Sequence, residues 1–208
     1  MRILITGFEP FGESRVNPSE RLVERLASTG IPGVELRGRI LPVDTQRAPG
    51  ELLAALDSVQ PDAVICLGEA ARRARVSIER VAVNLLDFAI PDNSGEVRQD
   101  LPVVPGGPDA YFATLPVRRL HDAVRAAGLP VELSLSAGAY LCNQVMYTLL
   151  HHLHATGLAN VPAGFIHLPL LPEQAAVFSG PPAPSMSADT AAQALEIILR
   201  ELARSAQT

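Results

Sequence analysis

The sequence predicts an α/β protein whose mostly parallel sheet is covered by helices on both faces. Strand-like and helical segments alternate along the 208 residues, which is the pattern of βαβ units. Residues 62–67 form a continuous apolar run that ends at Gly68, and such runs are typical of central parallel strands. Apolar residues make up 48% of the chain, which is enough for the core of a single domain over residues 1–208.

The first half of the chain begins with an apolar strand over residues 2–6, followed by a loop over residues 7–12. Asn17 is then the N-cap of a helix with Pro18 at its first position, and Gly30 ends this helix. The elements that follow are a strand over residues 34–43, a helix over residues 47–59, the apolar strand over residues 62–67 and a strand over residues 76–86.

The second half of the chain continues the alternation, with helical spacing from Thr114 to Gly128. The elements after it are a strand over residues 131–136, a helix over residues 142–155, a strand over residues 164–168 and a last helix capped by Ser187. Because ligands bind at the carboxyl ends of parallel strands, we expect the functional residues in the segments that follow the strands.

Charge and residue usage exclude several classes of protein. The 17 positive residues are all Arg and oppose 22 acidic residues, so the net charge is −5. Without a basic block, neither nucleic acid nor an anionic membrane is an expected partner, and without Lys there is no P-loop or Schiff-base residue. The chain contains no apolar run of roughly 18 residues that could span a membrane, and its first apolar stretch is too short for a signal peptide. Two Cys do not form a disulfide scaffold, so we expect a cytoplasmic protein with free thiols.

One cysteine and one histidine have positions that suit nucleophilic catalysis. Cys142 lies at a predicted helix N-terminus, where the helix dipole and free N–H groups favour a thiolate and can stabilise an oxyanion. His167 lies near the end of the next strand and is the best placed base. The alternatives are a small buried Cys142, as Cys66 is expected to be, and a buried histidine with a structural hydrogen bond.

A third group must orient the histidine, and Glu79 is the candidate for this role. In the strand over residues 76–86 it shares one face with Val81, Val83 and Leu85, and a carboxylate among apolar neighbours needs a partner. The alternative is a structural salt bridge from Glu79 to Arg75 or Arg80.

Two other patterns are weak indications of a metal site and of a phosphate-binding loop. The helical histidines His151, His152 and His154 lack a further metal ligand, and histidine favours helix C-termini in any case. The loop over residues 7–12 has the glycine spacing of a phosphate loop without its Lys. We therefore predict neither a metal nor a cofactor.

Five segments of the sequence resemble those of pyroglutamyl peptidase I, also called pyrrolidone-carboxylate peptidase, a family of cysteine peptidases. They are GFEPFG with NPS (residues 7–19), GEAARRARVSIERVAVN (68–84), IPDN (90–93), SAGAYLCN (136–143) and GFIHLPLLPEQ (164–174). The segments occur in the family's order and span most of the chain. The resemblance implies a three-layer α/β/α sandwich with a twisted, mostly parallel sheet, commonly assembled as a homotetramer, although a dimer is also considered.

The resemblance implies an exopeptidase that hydrolyses the bond after an N-terminal pyroglutamyl residue through a thioacyl-enzyme. Cys142 is then the nucleophile, His167 the base and Glu79 the orienting acid. Pyroglutamate is a small neutral lactam, which needs a flat apolar slot with few polar groups. The resemblance places these residues at the ring: Phe8, Phe11, Ile90, Tyr140 and Leu141, with Asn17 as a polar contact.

Two positions depart from the pattern of many bacterial members of this family. Glu69 stands where Gln is common, and Ala89 stands where an Arg often precedes IPDN. Glu69 is expected to line the pocket or, alternatively, to point to solvent or pair with Arg72 or Arg73. Two other functions are consistent with the residues: a non-catalytic α/β module that binds a small ligand, and a related cysteine amidase for another lactam.

Overall fold

Strands and helices alternate along most of the chain in the computed structural model, which describes residues 1–178 and 181–205. The strands are β1 (Arg2–Phe8), β2 (Glu35–Leu41), β3 (Ala63–Glu69), β4 (Val76–Glu79), β5 (Val81–Val83), β6 (Ala110–Phe112), β7 (Val131–Ser134) and β8 (Ala163–Leu168). The helices are α1 (Pro18–Thr29), α2 (Arg47–Val59), α3 (Val117–Ala126), α4 (Leu141–Ala155), α5 (Pro172–Ala176) and α6 (Ala188–Ser205).

The main sheet has six strands in the order β2-β1-β3-β8-β4-β7. All neighbouring strands in it are parallel except β4 and β8, which are antiparallel. The predicted mostly parallel sheet is therefore confirmed. Strands β5 and β6 form a separate antiparallel pair.

Helices cover both faces of the main sheet. Ile3 and Ile5 of β1 point into a core formed with α1, α3 and α6, whereas Leu4 points into a second core formed with α2 and α4. The three-layer α/β/α arrangement is thus confirmed. Within residues 1–178 and 181–205, no helix combines the length and the apolar character that crossing a bilayer requires.

The strand predicted over residues 76–86 is in fact two strands, and the face predicted for Glu79 is partly wrong. Strand β4 lies between β8 and β7, whereas β5 leaves the main sheet to pair with β6. The change of sheet breaks the period of two. Glu79 is buried in β4, but in β5 the buried residue is Ala82, while Val81 and Val83 are partly exposed.

Two short elements, β6 and α5, were not predicted, and α3 begins later than its spacing indicated. The backbone N–H groups of Thr114 and Leu115 donate to the Ala163 carbonyl, which fixes both residues beside the start of β8, and α3 begins after the N-cap Pro116. The predicted helix start at Asn17 is confirmed, because its side chain accepts a 3.0 Å hydrogen bond from the Ser19 N–H. The Ser187 hydroxyl accepts from the Thr190 N–H at the start of α6, as expected of a cap.

The first strand and the first helix meet at a point where only glycine fits. A β-carbon on Gly7 would lie 2.6 Å from the Ser19 carbonyl oxygen, and the Ser19 hydroxyl accepts a 2.9 Å hydrogen bond from the Phe8 N–H. This contact places the N-terminus of α1 directly over the end of β1.

We expect Gly7→Ala to lower the free energy of unfolding by about 1–3 kcal/mol, because the methyl group meets backbone that cannot move aside. Gly50→Ala is the matched control, since Gly50 is exposed in α2 with open space around it. Its free energy of unfolding should rise by about 0.5–1 kcal/mol, because alanine is a better helix former than glycine. Chemical denaturation of the two variants measures both effects. Equal stabilities would contradict the close approach.

Candidate active site

The α4 N-terminus holds Cys142 against the end of β3. A β-carbon on Gly68 would lie 2.8 Å from the Cys142 Sγ and 2.7 Å from the Phe165 ring, so the absence of a side chain at Gly68 makes room for the thiol. The buried Asn143 fixes this end of the helix, because its amide bonds to the Val83 N–H and carbonyl at 2.9 and 2.8 Å. Asn143 was quoted in the motif but given no role from sequence.

Strand pairing brings His167 to the same place. His167 is the register partner of Gly68 between β8 and β3, and of Ser77 between β8 and β4. Its ring is almost fully buried, and Nδ1 lies 2.8 Å from the Glu79 Oε1. Because a carboxylate can only accept, Nδ1 carries the proton and Nε2 keeps a free lone pair.

The Glu79 carboxylate has no exposed surface, and it contacts the Arg73 guanidinium in addition to the His167 ring. The Arg73 Nη1 donates to Oε1 at 2.5 Å, and its Nη2 donates to the Ser136 carbonyl at 2.8 Å. Among the described residues, Oε2 has no hydrogen-bond partner. Arg75 and Arg80 were the predicted partners, whereas the observed partner is Arg73, because the segment between β3 and β4 folds back in a way that sequence spacing does not reveal.

Burial and charge set the resting protonation of the cysteine and histidine. Burial raises the pKa of the Cys142 thiol to about 12, the carboxylates of Glu79 and Glu69 raise it as well, and Arg73 opposes them. Burial lowers the pKa of His167 from its usual value, and Glu79 opposes this shift. The site therefore holds a neutral thiol beside a neutral imidazole. This differs from the thiolate that the helix N-terminus favours by itself.

A tight cavity of about 40 Å³ adjoins the Cys142 thiol. Its walls are formed by Phe8, Phe11, Asn17, Val43, Glu69, Tyr140, Leu141 and Cys142. Six of the seven residues predicted around a lactam ring are thus brought together, and Val43 was missed. One water molecule needs about 10–15 Å³ of such space, so the cavity corresponds to about three water molecules and admits only a small group.

Aromatic and amide groups give this cavity its shape. The Tyr140 ring contacts Phe88 edge-on with centroids 4.7 Å apart, and lies 6.4 Å from Phe11. The Asn17 Oδ1 accepts from Ser19 and its Nδ2 donates to the Glu9 carbonyl at 3.0 Å, so the second amide hydrogen of Asn17 has no partner among the described residues.

Glu69 lines the cavity and does not pair with Arg72 or Arg73. Its Oε2 accepts a 2.7 Å hydrogen bond from the buried Gln174 amide. Burial raises the pKa of the Glu69 carboxyl, and the hydrogen bond from Gln174 opposes the rise. Gln174 was visible in the sequence only as part of a motif.

The remaining predicted residues lie elsewhere. Ile90 lines a larger groove next to the cavity and not the cavity itself, and Ala89 is exposed. The His151 Nδ1 lies 3.0 Å from the Tyr111 hydroxyl, and the His154 ring contacts the same tyrosine. In the part of the chain that the structure describes, no three His, Cys, Asp or Glu side chains converge as a metal site.

Comparison with known proteins identifies the family. A sequence model of pyroglutamyl peptidases matches residues 1–205. The chain belongs to the pyroglutamyl peptidase family. It is 48% identical to a pyrrolidone-carboxylate peptidase of Gloeobacter violaceus, and the alignment covers 100% of this chain and 98% of that protein. It is 45% identical to one of Escherichia fergusonii, over 93% of this chain and 89% of the relative.

Solved structures of the pyroglutamyl peptidase family share the fold. Pyroglutamyl peptidase I of Bacillus amyloliquefaciens superposes with a TM-score of 0.90 at 35% identity, over 98% of this chain and 97% of that one. A mutant pyrrolidone carboxyl peptidase from the hyperthermophile Pyrococcus furiosus superposes with a TM-score of 0.93 at 40% identity, over 99% of each chain. The resemblance stated from the sequence motifs is therefore confirmed.

In this pyroglutamyl peptidase family member, we expect Arg73→Gln to slow alkylation of Cys142 by iodoacetamide by roughly three- to tenfold at a fixed alkaline pH. Removing the guanidinium raises the thiol pKa, because Arg73 is the group that lowers it. Mass spectrometry of the modified Cys142 across a pH series measures the rate.

Arg72→Gln is the control for this experiment, since Arg72 is exposed and adjacent in sequence. Its alkylation profile should match that of the wild type. If Arg73→Gln also matched, Arg73 would have no electrostatic influence on the thiol.

Proposed function

We propose that this chain is a cysteine exopeptidase, an omega peptidase, that removes N-terminal pyroglutamate from peptides. The observation that carries the proposal is the convergence at Gly68 of a thiol, an imidazole and a buried carboxylate beside a tight, mostly apolar cavity. Membership of the pyroglutamyl peptidase family supports it independently.

In this mechanism, Cys142 is the nucleophile and His167 is the general base. As Sγ attacks the carbonyl carbon of the pyroglutamyl residue, Nε2 takes the thiol proton and then donates it to the leaving amine. Water hydrolyses the resulting thioacyl-enzyme by the reverse proton transfers. Because the resting pair is neutral, proton transfer accompanies attack, and Glu79 stabilises the imidazolium that forms.

The first turn of α4 stabilises the oxyanion. The N–H groups of Leu141, Cys142 and Asn143 precede the first intrahelical bond, which runs from Gln144 to the Tyr140 carbonyl. These N–H groups form the positive end of the helix dipole, which stabilises a negative charge placed next to them. Since Ala89 provides no cation in this chain, we assign the stabilisation of the oxyanion to these backbone groups.

The lactam ring occupies the cavity beside Cys142. Phe8, Phe11 and Tyr140 contact its faces and edges. The free amide hydrogen of Asn17 is suited to the ring carbonyl, and the Glu69 carboxylate is suited to the ring N–H. A peptide with an ordinary N-terminal residue is a poor substrate, because it lacks the ring carbonyl and leaves the Asn17 amide hydrogen unpaired.

We further propose that residues 1–208 form one catalytic domain without a cofactor, that the protein is cytoplasmic, and that it assembles as a homo-oligomer, a tetramer or a dimer. The net charge of −5 disfavours nucleic acid as a partner. The partners are therefore N-terminally pyroglutamylated peptides.

We expect release of the chromophore from a pyroglutamyl arylamide, and a fall in kcat/KM of roughly 10- to 200-fold for the prolyl analogue. The analogue lacks the ring carbonyl and leaves a buried donor unpaired, at a cost of about 1–3 kcal/mol. Equal kcat/KM values for the two substrates would refute a pocket that recognises the lactam.

The same assay tests the nucleophile. Cys142→Ser should reduce kcat/KM at least about a thousandfold with an unchanged melting temperature, because a hydroxyl is a far weaker nucleophile than a thiol. Cys66→Ser is the matched control, since Cys66 is fully buried in β3 and should affect stability more than turnover. Comparable losses of turnover in the two variants would contradict the assignment.

We expect Glu69→Gln to raise kcat/KM by roughly two- to tenfold near neutral pH, or about 0.4–1.4 kcal/mol of barrier, because the carboxylate raises the thiol pKa. The gain should vanish at low pH, where the raised pKa of Glu69 leaves the wild-type carboxyl neutral. Gln at this position can still accept the bond from Gln174. A ratio of variant to wild-type kcat/KM that did not change with pH would exclude this coupling.

A further inference from the structure

The larger groove next to the cavity at Cys142 has a volume of about 650 Å³. The two spaces share Phe11 and Glu69 as lining residues. The groove is formed by residues 11–16, by Glu69 and Ala71, by Ile90, and by residues of the segment 170–178. It is far larger than the cavity and is therefore able to hold whole side chains of a peptide.

Exposed apolar side chains are concentrated in this groove. Eight large apolar residues are exposed in the described part of the chain, and three of them, Ile90, Val177 and Phe178, line it. Val177 is 82% exposed and Phe178 is 42% exposed. Contiguous exposed apolar surface of this kind marks a binding site more often than scattered single residues do.

The walls of the groove are fixed to one another by one buried amide. The Gln174 Nε2 contacts the Ser14 hydroxyl at 3.0 Å, the Val16 carbonyl at 3.1 Å and the Glu69 carboxylate at 2.7 Å. Its Oε1 accepts from the Leu171 N–H at 2.9 Å. Segments far apart in sequence are thereby held together, so the groove is formed before a ligand binds.

We propose that this groove binds the residue that follows pyroglutamate and selects an apolar side chain at that position. The inference rests on the proposed function: with the lactam beside Cys142, the leaving peptide begins at the thiol, and the groove continues from the cavity across Phe11 and Glu69. Leu and Phe side chains match its apolar lining.

The charges in the groove disfavour an acidic side chain at the same position. Glu13, Glu69 and Glu173 line the groove together with Arg15, and the Arg21 guanidinium lies 3.9 Å from the Glu173 carboxylate. An aspartate in the leaving peptide meets more negative than positive charge and gains no apolar contact. The groove thus discriminates by burial of apolar surface and by charge together.

The test compares three substrates: pyroglutamyl-leucine, pyroglutamyl-aspartate and pyroglutamic acid amide. The amide releases only ammonia, so its hydrolysis reports the reaction without the groove. We expect kcat/KM for the leucine substrate to exceed that for the aspartate substrate by about tenfold or more. Hydrolysis of the amide with equal values for the two dipeptides would overturn this inference and leave the proposed function intact. No hydrolysis of any of the three would overturn both.

A matched pair of variants locates the discrimination. Phe178→Ser should reduce the leucine-to-aspartate ratio of kcat/KM by about threefold or more. Phe112→Ser is the control, because Phe112 is 70% exposed on β6 and does not line the groove. Its ratio should equal that of the wild type.

Sedimentation of the same variants distinguishes the peptide from a second copy of the chain. An unchanged oligomeric state together with a reduced ratio in Phe178→Ser supports the peptide. Dissociation of an oligomer by Phe178→Ser with an unchanged ratio would assign the groove to subunit contact and overturn the inference.

Discussion

The structure around the site depends on the burial of one charge, the carboxylate of Glu79. A carboxylate without exposed surface is stable only with partners, and Glu79 takes two: the Arg73 guanidinium and the His167 imidazole. These partners come from the loop after β3 and from β8. The carboxylate at the end of β4 therefore ties three parts of the chain into one geometry, and it fixes which nitrogen of His167 carries the proton.

The position of Cys142 depends on a complementary constraint, the missing side chain at Gly68. Because β3 and β8 pair in register, Gly68 lies beside His167, and the Cys142 thiol fills the space that a β-carbon would take. The thiol is brought to the histidine by packing and strand register rather than by an ion pair. Burial then keeps both groups neutral at rest, which suits a base that must accept a proton during attack.

Glu69 and Gln174 connect the tight cavity to the larger groove. Their hydrogen bond joins the end of β3 to α5, and Glu69 lines both the tight cavity and the larger groove. The same carboxylate also acts on the pKa of the Cys142 thiol. Glu69 thus lines the tight cavity and the adjoining groove and also raises the pKa of the Cys142 thiol.

The sequence by itself determined the alternation of elements, the α1 cap at Asn17, the three catalytic candidates and most of the cavity, because these depend on local periodicity, capping and motifs. Only the tertiary structure decided that residues 76–86 divide between two sheets, that Arg73 rather than Arg75 or Arg80 pairs with Glu79, and that Ile90 faces the groove. Each of these depends on contacts between segments distant in sequence. Strand order and loop paths establish such contacts, and a period of two or 3.6 residues contains no information about either.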